Sequence, residues 1–299
     1  MIYESMTIVE FQERFRTEKD CLDYLVEMRW PRGFICPKCG HNDGHRLKTR
    51  RAMQCTVCRA QASITAGTIF HKTRIQLQYW FWMIYLVAED KGGASASRIE
   101  KQLQMHHDTV WHILHKIRMA MANRDERYTL AGFIELDEGF FGRAETAKKP
   151  EKADNQAEVI VMIEVNESGN PEHLSMKVVD TTSRDSIRAF VEPKVEPNQA
   201  FKTDGAQSHY VLKSMGHKLQ AKVIPAWLGH IELPWVHKAI SLAKRFILGT
   251  YHGVSSAHLQ RYLDEFCYRF NRRHRSGEIA ARLLNACLMC LPRTYAAVS

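Results

Sequence analysis

Four cysteines and two aspartates carry the chemistry that can be read directly from this sequence. Cys36-Pro-Lys-Cys39 is followed, after fifteen residues, by Cys55-Thr-Val-Cys58. Each CxxC aims two thiolates at one point, and two such knuckles complete a tetrahedral zinc site. A redox-active CxxC pair is the competing reading, and two pairs at this spacing argue against it. His41 and His45 lie close by, but four sulfur ligands suffice, which makes the zinc structural rather than catalytic. The aspartates sit in strand-like settings. Ala131 to Gly142 (AGFIELDEGFFG) is apolar and aromatic, yet it holds Glu135, Asp137 and Glu138. Carboxylates in a buried strand are costly unless paired, hydrogen-bonded or bound to a cation, although alternation could instead put Glu135 and Asp137 on an exposed face. Sixty-seven residues after Asp137, the run Ala200-Phe-Lys-Thr ends in Asp204 and a chain-turning Gly205. Two strand-borne aspartates offer hard oxygen ligands for magnesium or manganese, an arrangement suited to phosphoryl transfer.

The elements that must position these groups belong to an ordinary globular chain. Its 299 residues leave room for two or three domains, and 45% hydrophobic with 25% charged residues is a standard composition. A net charge of +9 favours an anionic partner such as nucleic acid. The longest apolar run, Tyr79 to Ala88, is too short to cross a bilayer, so no membrane partner is expected. No export pattern opens the chain; a cytoplasmic location is expected, with thiols rather than disulfides.

Taken in order, residues 1–30 predict a helical lead-in striped by Phe11, Phe15, Cys21, Leu22, Leu25 and Val26. Residues 31–68 form the zinc ribbon, predicted as two strands with Lys48, Arg50 and Arg51 placed for DNA phosphates. Residues 69–128 form a helical DNA-binding region. Within it, a short helix around Ile99 and Leu103, a turn at Met105–His107 and a helix N-capped by Asp108 suggest a helix-turn-helix. The histidines at 106, 107, 112 and 115 read as surface, facing solvent or a groove. Residues 129–275 alternate as β-β-β-α-β-α-β-α, which predicts a mixed five-stranded α/β sheet with flanking helices. A lysine-bearing loop, 144–156, interrupts it, and a loop containing Pro225, Trp227 and Pro234 precedes a helix expected to stop at Gly249. That helix carries His237, Ser241, Lys244 and Arg245; the basic helix after Ser256 offers Arg269, Arg272 and Arg273 to phosphate. Residues 276–299 form a helical tail whose Cys287 and Cys290 read as core packing.

Ribbon, helical region, LDEGFFG strand, TDG turn and the YHGV…HLQRYLDEFCYRFNRR tail together resemble bacterial insertion-sequence transposases. Specifically, they resemble the group with an N-terminal zinc ribbon and a DDE-type, ribonuclease-H-like catalytic domain. The resemblance implies element-end cleavage and joining to target DNA by two-metal chemistry, with a homo-oligomer on DNA. It places catalytic, metal-binding acids at Asp137 and Asp204. At the third place no glutamate stands; His237, 33 residues after Asp204, takes it, with Glu232 and Glu265 as the other candidates. A DNA-binding regulator, or a remnant that has lost catalysis, is the competing function.

Overall fold

The computed structural model describes residues 5–47, 49–142, 156–222 and 229–292. It divides into two compact units, residues 1–124 with 274–299, and residues 125–273.

The first unit opens on two short helices, α1 (Ile8–Arg14) and α2 (Glu18–Arg29). Thr7 with Glu10 and Thr17 with Asp20 form capping boxes, each satisfying the first free N–H groups of its helix. Strands β1 (Gly44–Arg46), β2 (Ala52–Cys55) and β3 (Gln61–Ser63) pair antiparallel in that order, so the ribbon has a third strand beyond the two expected. Helix α3 (Leu77–Glu89) is buried nearly all round, and the rings of Phe11 and Phe15 pack on its Trp82 and Phe81. Helix α4 (Ala96–Leu103) ends at Gln104, which adopts a left-handed conformation at φ 50°, and α5 (His107–Asp125) starts three residues after α4 ends. Asp108 therefore lies inside the first turn and is not the cap; its N–H instead donates to His106 Nδ1 at 3.4 Å. His115 is also not on the surface. It is fully buried beside the Trp111 ring.

The expected tail is a helix of this same unit. Helix α11 (Ile279–Met289) packs against α3 and α2, and its Leu283, Leu284 and Cys287 are buried. Cys287 and Cys290 do fill core, as their apolar surroundings suggest.

The second unit is built on a five-stranded sheet. Strands β4 (Phe133–Phe141), β5 (Ala157–Val165) and β6 (Pro171–Val179) are antiparallel neighbours. Helix α6 (Arg184–Val191), capped by Ser183, leads to β7 (Ala200–Thr203), which joins β4 in parallel. A 3-10 turn and α7 (Val211–Ser214) then lead to β8 (Lys218–Ala221), parallel to β7. The sheet order is β6-β5-β4-β7-β8, the ribonuclease-H-like arrangement that the resemblance implied. After α8 (Gly229–Glu232), helices α9 (Pro234–Tyr251) and α10 (Ser256–Phe270) cover one face, around Val159, Val161 and Ile163. Helices α6 and α7 cover the other, around Ile134, Leu136 and Phe201. Helix α9 runs through Gly249, and left-handed His252 ends it instead. Residue 48, all of the lysine-bearing loop except Gln156, and Pro225 and Trp227 lie outside the described residues.

Candidate active site and zinc centre

In the ribbon, the tight CxxC turns bring the four thiols together. Cys36 Sγ lies 3.6 Å from Cys58 Sγ and Cys39 Sγ 3.7 Å from Cys55 Sγ, with all four atoms within 4.8 Å of one another. Backbone N–H groups of Cys39 and Lys38 aim at Cys36 and, with the neighbouring thiols, pull it down to about 6. At Cys39 the His41 N–H is outweighed by the same crowding of thiols, which pushes Cys39 up to about 12; four thiolates together therefore need a cation between them. A closed set of four sulfurs fits one structural zinc.

In the second unit, alternation along β4 sorts its three acids between two faces. Glu135 and Asp137 point toward α9, and both are buried, against the exposed alternative. Glu138 shares the opposite side with Ile134 and Leu136. Glu135 serves the helix: its Oε2 accepts the N–H groups of Trp235 and Val236, both at 2.9 Å. Those are among the unsatisfied donors at the start of α9, and a carboxylate there also complements the helix dipole. Gly139 lets the helix approach, since a Cβ there would stand 3.1 Å from Ile240 Cγ2.

That docking puts His237, in the first turn of α9, over Asp137, with Nε2 3.2 Å from Oδ2. The pairing of Phe133 with Ala200 runs to Glu135 with Lys202, two residues short of Asp137 and of Asp204. The same register brings Asp204, just after β7, beside Asp137, close enough for its charge to raise the Asp137 carboxyl. Asp204 Oδ1 accepts the Ala206 N–H at 3.0 Å, which fixes the turn. Two groups that sequence reasoning passed over complete the cluster. Fully buried His209 places Nε2 2.8 Å from Glu138 Oε1 and Nδ1 3.1 Å from Asp204 Oδ1. Glu138 was visible in the LDEG run, but nothing marks His209, because a one-turn 3-10 helix has no periodicity to read.

The electrostatics of this cluster call for positive charge. Burial, with the nearby charges of Glu138 and Asp204, pushes the Asp137 carboxyl up to about 7. His209 beside Asp204 holds that carboxyl below its usual range. Burial alone would lower His209, but Asp204 and Glu138 outweigh it and hold the ring protonated up to about 9. Crowded carboxylates with imidazoles at their flanks form a donor set that fits magnesium or manganese.

The other third-ligand candidates are engaged elsewhere. Glu265, 1% exposed, pairs with Arg269 at 2.9 Å. Glu232 meets Lys202 at 3.2 Å and also Lys222.

Of the residues expected at DNA, several are structural. Arg269 is buried on Glu265, a correction to its expected phosphate role. Arg272 binds Asp125 at 2.7 Å and lies over the Tyr268 ring; Arg273 donates to the carbonyls of Pro171, Glu172 and Phe270. Arg51 is likewise tied down, to Glu18 at 2.7 Å and to the carbonyls of Thr73 and Ile75. Such arginines satisfy buried acceptors and have little left for phosphate. Arg50 and Arg245 are exposed, and Lys244 sits 5.6 Å from the Phe141 ring on a cavity of about 830 Å³. Lys48 is outside the described residues.

Residues 16–61 match the transposase zinc-ribbon domain, and residues 129–271 match the ISXO2-like transposase domain. The chain belongs with the insertion-sequence transposases. A relative described as an uncharacterized protein in transposable element ISH50 of Halobacterium salinarum is 23% identical over 300 residues, covering 90% of this transposase and 96% of that protein. Among solved structures, the pre-cleavage Mos1 transpososome matches at 11% identity and TM-score 0.27, over 68% of this chain and 77% of that one. The Mos1 paired-end complex with left transposon end gives 12% identity and TM-score 0.29, over 68% and 78%. Among the described residues, no helix of the transposase is long and apolar enough to cross a membrane.

Proposed function

We propose that this transposase cuts DNA at the ends of its element and joins the freed 3′ ends to target DNA, with Asp137, Asp204 and His237 as its catalytic metal ligands. One observation carries the reading: Asp137, midway along β4, has beside it Asp204, directly after the parallel strand β7, and α9 delivers His237 Nε2 to 3.2 Å from Asp137. Bound magnesium or manganese would activate the attacking oxygen and neutralise charge on the phosphate. Asp137 and Asp204 supply the anionic oxygens, and Glu135 fixes the turn that carries His237. The engagement of Glu265 by Arg269 supports His237 as the third ligand. Exposed Arg50, Lys244 and Arg245, together with Lys48, remain candidates for DNA phosphates. Because two element ends must meet, the working form is a homo-oligomer on double-stranded DNA.

The test is cleavage and strand joining on a fragment carrying the element's own ends. Asp137→Asn and Asp204→Asn are each expected to lower cleavage about 10³-fold or more while keeping end binding, as removing several kcal/mol of charge stabilisation would. His237→Ala should behave alike, and His237→Glu should recover part of the activity with Mg²⁺. Normal cleavage by either aspartate variant overturns the assignment; normal cleavage by His237→Ala with a dead Glu265→Gln would move the third ligand to Glu265.

A further inference from the structure

Asp204 has a histidine neighbour that the reading above does not use. His209 is 0% exposed, and it arrives from the α6–α7 side of the sheet rather than from α9. An imidazole in such a setting needs both ring nitrogens satisfied. Nε2 meets Glu138 Oε1 at 2.8 Å. Nδ1 is buried and makes no aligned hydrogen bond among the described residues; Asp204 Oδ1, 3.1 Å away, faces it only as an ion-pair partner. The ring nitrogen and the carboxylate oxygen therefore lie side by side without being aimed at each other. Metal–ligand bonds of about 2.1 Å put adjacent octahedral ligand atoms about 3 Å apart, so this is the spacing of two atoms that share one cation. Asp137 Oδ2 and His237 Nε2 show nearly the same separation, 3.2 Å. A carboxylate on the far ring nitrogen is also the usual partner of a metal-bound histidine, since it fixes tautomer and orientation.

We propose that His209 ligates, through Nδ1, the divalent cation held by Asp204, the cation displacing the Nδ1 proton to solvent, and that Glu138 orients the ring by accepting the Nε2 proton. This rests on the reading of Asp204 as a metal ligand. With imidazoles on both flanks, the site should bind Mn²⁺ more tightly than Mg²⁺.

Electron spin-echo envelope modulation of Mn²⁺ added to the full-length, zinc-loaded protein tests this directly, because it detects imidazole nitrogen bound to manganese. His237→Ala leaves His209 in place and is expected to keep a nitrogen signal; adding His209→Gln is expected to remove it. A His237→Ala protein that binds Mn²⁺ with no nitrogen signal overturns the proposal, whether or not the buried His209 variant folds. By calorimetry, folded His209→Gln is expected to bind Mn²⁺ about 10- to 100-fold more weakly, and Glu138→Gln about 10-fold. Mn²⁺ affinity lost in Asp204→Asn but unchanged in folded His209→Gln removes His209 alone and leaves the catalytic reading standing. Wild-type protein that takes up no Mn²⁺ overturns both.

Discussion

A carboxylate serves a cation best where it is least comfortable alone, and Asp137 is such a residue. Its folded carboxyl is raised to about 7 by burial and by its acidic neighbours, against an ordinary 3.8. The native state therefore binds a proton more tightly than the unfolded chain between those values, and stability falls as pH rises through that window. At 1.36 kcal/mol per unit the whole shift would amount to about 4 kcal/mol, and relaxation around the site reduces that to roughly 1–2 kcal/mol. Asp137→Asn removes the penalty without changing shape. In metal-free protein at pH 8 it should raise the melting temperature of the 125–273 unit by about 3–6 °C, and the gain should vanish near pH 4. Added Mn²⁺ should reverse the order if Asp137 is the proposed ligand, because only the wild type keeps that carboxylate. A metal-free variant that melts at or below the wild type at pH 8 would show that Asp137 is not under this strain.

Among the elements, α9 ties sheet and site together, and Glu135 holds its first turn. Truncating that side chain leaves the Trp235 and Val236 N–H groups without their acceptor, at a cost of about 2–3 kcal/mol. Glu135→Ala should lower the denaturation midpoint and also slow cleavage, because His237 rides in the same turn. End-DNA binding should be unchanged, and Glu135→Gln, which keeps an acceptor oxygen, should restore most of both losses. A Glu135→Ala protein as stable as wild type would deny the cap. The strands around these acids were legible because period-two alternation and the turns at 166–171 and Asp204-Gly205 are local signals. The CxxC spacing was equally local. The purpose of Glu135 was not, since its partners are backbone groups 100 and 101 residues away. The pairing of Glu265 with an arginine one turn away was legible from the spacing; that both Glu265 and Arg269 would be buried was not, and burial is what takes Arg269 away from phosphate.

For the molecule as a whole, sequence order misleads about which segments fold together. The chain leaves its first unit at Arg124, builds the ribonuclease-H-like unit, and returns at His274 to finish the first. A helical stripe announces that α11 must bury Leu283 and Leu284, but not against what; α3 and α2 supply the answer. The same distinction reduces the basic excess available to DNA, because Arg51, Arg269, Arg272 and Arg273 are engaged inside their own units. If α11 is core to the first unit, damage there should be felt far away in sequence and hardly at all in the nearer α10. Leu283 is fully buried, so Leu283→Ala should cost the first unit about 2–5 kcal/mol. Limited proteolysis read by mass spectrometry should then show faster cuts within residues 5–124 and 274–292, with fragments spanning 125–273 persisting as in wild type. End binding through the ribbon and helical region should weaken with it, while the Mn²⁺ affinity of the Asp137–Asp204 site stays as it was. Faster cutting within 125–273, with 5–124 as resistant as before, would place α11 with the wrong unit.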